Sequence, residues 1–135
     1  MFRELEDGVA VSPQITADDV RAAASLGYGT IVCNRPDGEV PGQPSAAEIE
    51  DAAQGAGLSF LPLPFAAPGP SAAQVEAMRA ALDAPGKVLA YCRSGARSTA
   101  LWALARAGQG RDADALIEAA RAAGHDIEGL RPRLG

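Results

Sequence analysis

Apolar residues fall along this chain in two alternating rhythms. Short β-branched or continuous runs occur at Val9–Val11, Thr30–Cys33, Ser59–Phe65 and Lys87–Tyr91, and read as strands. Between and after them, apolar positions recur at helical spacing. Val20, Ala23 and Ala24 share one face of a helix opened by Thr16-Ala17-Asp18-Asp19 and closed by Gly27. Ser45…Glu48 and Ser71…Gln74 are capping boxes, with Ile49, Ala52 and Ala53 inward on the first helix and Val75, Met78 and Leu82 on the second. A fourth helix is predicted over Ser98–Ala107, burying Leu101, Trp102, Leu104 and Ala105. A fifth, capped by Asp112, buries Ala113, Leu116, Ile117 and Ala120. Strand–helix alternation predicts parallel strands joined by crossover helices. The fold class expected is α/β: a single three-layer domain over residues 1–135, with a central, mostly parallel sheet of four to five strands flanked by helices. Pro62 and Pro64 remove ladder donors and place the third strand at or near a sheet edge. The tail through Leu130 and Leu134 is expected to pack loosely.

Composition changes this picture little. Hydrophobic residues make up 47% and charged residues 21%, as in a soluble globular protein. The net charge of −5 argues against a nucleic-acid partner. No apolar run approaches the ~20 residues that cross a bilayer, and Met1–Asp7 is too charged for the apolar core of a signal peptide. Two cysteines, Cys33 and Cys92, are too few for a disulfide framework, and no Cys/His cluster has zinc spacing. A cytoplasmic location, no metal and no cofactor are the expectations.

The chemistry concentrates in Tyr91-Cys92-Arg93-Ser94-Gly95-Ala96-Arg97-Ser98. A strand leads into a cysteine, a small polar turn follows, and a helix starts behind it. Loop N–H groups and a helix N-terminus can stabilise a thiolate and hold an anion above it. Cys92 is the candidate nucleophile and Arg97 the anion clamp, its guanidinium able to hold two oxygens at once. Arg93, Ser94, Gly95, Ala96 and Ser98 are the candidate substrate-binding positions, and Ser98 could hydrogen-bond the sulfur. The alternative is a buried structural cysteine before an ordinary turn.

Two enzyme classes use such a loop. Tyrosine and dual-specificity phosphatases separate a His-Cys pair from the arginine by five residues, and sulfurtransferases of the rhodanese type generally have a shorter loop. Here four residues separate Cys92 from Arg97, and Tyr91 stands in the place of the histidine. A phosphatase also needs a general acid for the leaving oxygen. The loop where it is expected, Phe65-Ala66-Ala67-Pro68-Gly69-Pro70, has none. Asp83 lies in the wrong place, and only Asp37 could reach the site from another loop. These points favour a sulfurtransferase that carries a sulfane sulfur as a Cys92 persulfide, using a small anionic sulfur-containing substrate and a thiol acceptor. The alternatives are a cysteine phosphatase acting through a Cys92 phosphoenzyme, and a non-catalytic module that binds an anion.

The segments Ile15-Thr16 through Asp19, Asn34-Arg35-Pro36-Asp37-Gly38-Glu39, Pro44-Ser45-Ala46-Ala47-Glu48-Ile49, and Tyr91 through Ser98 with Leu101-Trp102 carry a family resemblance. The chain resembles the bacterial phosphatase-like domains of β-lactamase-hydrolase-like proteins, also called a sulfurtransferase family. The resemblance implies a dual-specificity-phosphatase-like fold with a rhodanese-like loop, Cys92 as nucleophile and Arg97 as clamp. It also implies a role in sulfide or persulfide oxidation, with a persulfide dioxygenase or a sulfide:quinone oxidoreductase as partner.

Other residues have two readings each. Arg35 and Asp37 are either a substrate-orienting pair at the rim or parts of a solvated turn. Cys33 is either a resolving thiol for Cys92 or, more in keeping with its strand, a small buried hydrophobe. His125, after the Gly124 helix stop, is expected at the surface or in a helix C-cap. Trp102 reads as core, and Arg131 and Arg133 as a solvated tail or a docking point for a partner.

Overall fold

The computed structural model describes residues 1–135 as a five-stranded sheet with helices on both faces. The strands are β1 (Arg3–Glu6), β2 (Val9–Ser12), β3 (Tyr28–Cys33), β4 (Ser59–Pro62) and β5 (Lys87–Tyr91), in the order β1-β2-β5-β3-β4. All neighbours pair parallel except β1 with β2. The helices are α1 (Ala17–Ser25), α2 (Ala46–Gly55), α3 (Ala72–Asp83), α4 (Ala96–Ala107) and α5 (Ala113–Ala122). No helix is long and apolar enough to cross a membrane.

Period-two alternation sorts the strand side chains between two cores. Val9, Val11, Val32, Val88 and Ala90 join the larger core, which α3, α4 and α5 cover with Met78, Leu82, Leu101, Trp102, Leu116 and Ile117. Ala10, Ile31, Cys33, Leu89 and Tyr91 face the other way, onto Val20 and Ala23 of α1 and Ile49 and Ala53 of α2. β5 lies between β2 and β3, so both faces of its apolar run are buried. The helix starts follow local chemistry. Thr16/Asp19, Ser45/Glu48 and Ser71/Gln74 form reciprocal capping boxes, and Asp112 accepts from the Ala115 N–H.

Four features depart from the sequence expectation. β1 is an additional antiparallel edge strand; its residues Arg3, Glu4 and Glu6 conceal it from an apolar-run search while protecting the edge. β4 is an edge strand as expected, but it ends at Pro62 rather than Phe65. Between Pro62 and Phe65 only Leu63 and Phe65 have N–H groups to give, and they donate to Cys33 O (2.9 Å) and Asn34 O (3.3 Å). α4 begins at Ala96, two residues before Ser98, because Gly95 turns the chain at φ +97°. The tail is not loose: Glu128–Arg133 forms a 3-10 helix between Ile127 and Leu134, both buried in the larger core.

The parallel strands β2, β3, β4 and β5 all end on one edge of the sheet, at Ser12, Cys33, Pro62 and Tyr91. The loops that follow them meet there, as ligand-binding loops of open α/β sheets do. Leu101 on α4 is fully buried within the larger core that supports this edge. Leu101→Ala is expected to lower the unfolding free energy by roughly 2–5 kcal/mol in urea denaturation. A loss under about 0.5 kcal/mol, the range of surface substitutions, would contradict this packing.

Candidate active site

β5 delivers Cys92 to the sheet edge, and Gly95 folds the following turn back over it. The Gly95 N–H donates to Cys92 Sγ at 3.1 Å. Cys92 is 1% exposed and free of any disulfide, at the bottom of the loop. The Ala96 N–H donates to Ser94 Oγ at 3.2 Å. The backbone N–H groups of Arg93, Ser94, Arg97 and Ser98 donate to no protein acceptor, which leaves a run of amides at the α4 N-terminus able to take an anion.

Three hydrogen bonds to two partners hold Arg97 in place. Its Nη1 donates to Glu39 Oε2 (2.8 Å) and to the Phe65 carbonyl (3.1 Å), and its Nη2 donates to Glu39 Oε1 (2.7 Å). These bonds use three of the five guanidinium N–H groups and leave two, on Nε and Nη2. Glu39 hydrogen bonding raises the Arg97 pKa, and Cys92 is among the groups that raise it further. Glu39 also accepts from Arg35 Nε at 3.0 Å, and Arg35 Nη1 donates to Gln14 Oε1 at 3.0 Å. The Arg97 hydrogen bonds first, and those of Arg35 with them, hold the Glu39 carboxyl at about 2, below its ordinary 4.5.

The structure brings Cys92, Arg97 and Arg35 together and reassigns several other candidates. Arg35 is 4% exposed and forms part of the Glu39 network rather than of a solvated turn. Asp37 is exposed, and its Oδ1 accepts from the Ala46 N–H at 2.8 Å, which caps α2. Arg93 is exposed and has no acidic partner, and its carbonyl accepts from the Gln14 N–H. Ser98 is buried, but its hydroxyl has no partner and therefore does not reach the Cys92 sulfur. Cys33 lies in the smaller core and donates to the Arg35 carbonyl at 3.4 Å; burial pushes its thiol up, as for a buried hydrophobe. Burial likewise raises the Tyr91 phenol, with Cys33 and Gln14 as its polar neighbours. Trp102 is core.

Sequence reasoning missed two residues. Glu39 stood only at the end of the Asn34–Glu39 segment; its spacing of four from Arg35 was the one available signal, and its bond to Arg97 spans 58 residues. His125 does cap a helix end, its N–H donating to Ala120 O, but its ring also backs the cysteine loop. A Cβ added to Gly95 would lie 3.0 Å from His125 Nε2, so a side chain there would press on the imidazole as well as strain the positive φ. Burial lowers the His125 pKa, with a smaller contribution from Arg3.

Residues 1–109 match the family model described as "Beta-lactamase hydrolase-like protein, phosphatase-like domain". A beta-lactamase hydrolase-like protein of Xylella fastidiosa is 35% identical over 109 residues, 80% of this chain. The chain spans about a quarter of the length of that relative. The crystal structure of a candidate phosphatase from Neisseria meningitidis is 40% identical, covers 98% of this chain and 94% of its own, and superposes with a TM-score of 0.84. A kinase-associated phosphatase whose catalytic-site cysteine is replaced by serine shares the fold, with a TM-score of 0.76 at 17% identity, over 98% of this chain and 89% of its own.

These comparisons overturn the expectation of a rhodanese-like sulfurtransferase. The matched family, the Neisseria relative and the shared fold are all phosphatase-like. That expectation rests on the four-residue loop, on Tyr91 in the place of the histidine and on the missing acid. On that reading, a loop one residue shorter than that of the phosphatases suits sulfur better than a phosphoryl group. In the structure α4 starts at Ala96, so Arg97 already stands in the first helical turn with its amide free.

The Glu39 network has a pH signature. Its folded pKa is depressed, so its stabilisation is complete above about 4.5 and is lost as pH falls toward about 2. At neutral pH, Glu39→Gln is expected to cost on the order of 2 kcal/mol, because it leaves Arg35 and Arg97 without their anion. Urea denaturation across a pH series should show the gap from wild type closing below pH 4.5. A gap that does not change with pH would contradict the ion-pair account.

Proposed function

Because residues 1–109 match its model, this chain belongs to the family of phosphatase-like domains of beta-lactamase hydrolase-like proteins, and we propose that it is a cysteine phosphatase acting through a covalent phosphoenzyme at Cys92. The observation that carries this reading is the pairing of Arg97 with Glu39 beside a cysteine whose Sγ receives the Gly95 N–H. A guanidinium fixed by one carboxylate has fork-shaped donors left for a second, transferable anion.

The phosphoryl oxygens of the substrate bind the free amides of Arg93, Ser94, Arg97 and Ser98 and the two remaining N–H groups of Arg97. The Cys92 thiolate uses its lone pair to attack phosphorus. The S–P bond forms, the bond from phosphorus to the leaving oxygen breaks, and that electron pair departs with the leaving oxygen. Water then attacks the phosphoenzyme. A new O–P bond forms, the S–P pair returns to Cys92, one water hydrogen stays on the released phosphate, and the other passes to solvent. Fixed donors placed where the equatorial oxygens gather charge supply the rate acceleration. Glu39 acts through Arg97 as a positioning residue. Both cysteines are free, and a reducing cytoplasm keeps the nucleophile in its active form.

Turnover of 4-nitrophenyl phosphate tests this reading. Cys92→Ser is expected to abolish it, since no other residue can form the phosphoenzyme. Arg97→Lys, which keeps the charge but loses the fork, is expected to lower kcat/KM by about 100- to 1,000-fold. Turnover that survives in Cys92→Ser would refute the proposal.

A further inference from the structure

Beside Arg97 lies a cleft of about 230 Å³, formed by the loop after β4 and the 3-10 turn that follows α5. Phe65, Pro68, Leu104 and Leu130 give it apolar walls, and its two ionic side chains are Arg97 and Arg133. No carboxylate, imidazole or thiol lines it. The Arg133 guanidinium stands against the Phe65–Pro70 loop, with Nη1 3.4 Å from where a Cβ on Gly69 would lie. Arg133 forms no ion pair or side-chain hydrogen bond, whereas Arg131, two residues earlier, pairs with both Asp114 and Glu128. Buried Leu134 anchors the backbone immediately after it.

Carboxylates close to this edge of the sheet are committed elsewhere. Glu39 is shared between Arg35 and Arg97, and Asp37 caps α2. Asp126 and His125 line a different cavity, which shares only Ala100 and Leu130 with the cleft. A group leaving through the cleft therefore meets a guanidinium and no proton donor. Positive charge stabilises a departing oxyanion but cannot protonate it.

We propose that the Arg97–Arg133 cleft is the leaving-group site and that it selects phosphoryl donors whose leaving oxygen departs as an anion, with Arg133 receiving its charge. The substrate class is phosphoryl on an oxygen of low proton affinity, such as a phosphoric anhydride, an acyl phosphate or the phosphate of an acidic phenol. Esters of ordinary alcohols, whose alkoxide needs a proton as it leaves, are poor substrates. In the first step the S–P bond forms at Cys92, the P–O bond breaks, and the electron pair remains on the leaving oxygen opposite the Arg133 guanidinium. This selectivity rests on the phosphatase reading above.

A series of aryl phosphates graded by phenol pKa tests it, with kcat/KM as the readout because that constant covers leaving-group departure and excludes phosphoenzyme hydrolysis. Cys92→Ser is run beside each substrate to isolate turnover at the site. The expected result is a fall in kcat/KM of roughly tenfold for each unit rise in phenol pKa, the steep Brønsted slope of an unprotonated leaving group. Arg133→Ala is expected to lower kcat/KM at least about tenfold on the least acidic phenols, with the inhibition constant of inorganic phosphate unchanged. A nearly flat series that still depends on Cys92 would overturn the selectivity while leaving the phosphatase reading standing. So would an Arg133→Ala enzyme equal to wild type on every substrate. Absence of Cys92-dependent turnover even on the most acidic phenol would overturn both.

Discussion

One carboxylate shared by two guanidiniums holds the candidate site together. Arg35, on the loop after β3, and Arg97, in the first turn of α4, come from far apart in sequence, and without Glu39 between them their charges would repel. With Glu39 ionised, Arg97 is fixed by a fork-on-fork contact and by the Phe65 carbonyl. Arg35 is fixed in turn by Gln14. The network thus ties together the loops that follow β2, β3, β4 and β5, the four parallel strands. An anion-binding loop needs this support, because an arginine free to swing would lose side-chain entropy each time it gripped a phosphate.

The same network accounts for an apparent conflict in the charge. The protein carries a net charge of −5, yet its candidate site must attract an anion. Glu39 is the acid nearest Arg97, and its charge is already spent on two cations. Arg93 and Arg133 have no acidic partner, so the field around the cysteine loop is positive despite the acidic total.

What could be read from the sequence was what is local. Capping boxes span three residues, strand alternation spans two, and the Cys92–Arg97 loop spans five; each was legible because its physics acts over that distance. The bond between Glu39 and Arg97 was not legible, because only the folded sheet brings those loops together. Asp37 and Glu39 sit two positions apart on one loop. Composition could not tell which would cap α2 and which would meet the arginine. β1 and the C-terminal 3-10 turn were missed for a related reason: β1 owes its order to its pairing with β2 and its contact with α5, and the turn to α5 and the larger core, rather than to their own patterning. The error over sulfur transfer came from weighing loop length, Tyr91 and the missing acid in the Phe65–Pro70 loop, local features that do not by themselves separate the two chemistries.

The central claim is that Cys92 accepts phosphorus on sulfur within a ring of amides. Acid-quenched reactions with 4-nitrophenyl phosphate, followed by intact mass measurement and peptide mapping, test it most directly. The expected result is one phosphoryl group on the peptide bearing Cys92, formed within a single turnover and absent from Cys92→Ser. A phosphoryl group mapped to another residue, or steady turnover with no trapped adduct, would contradict it.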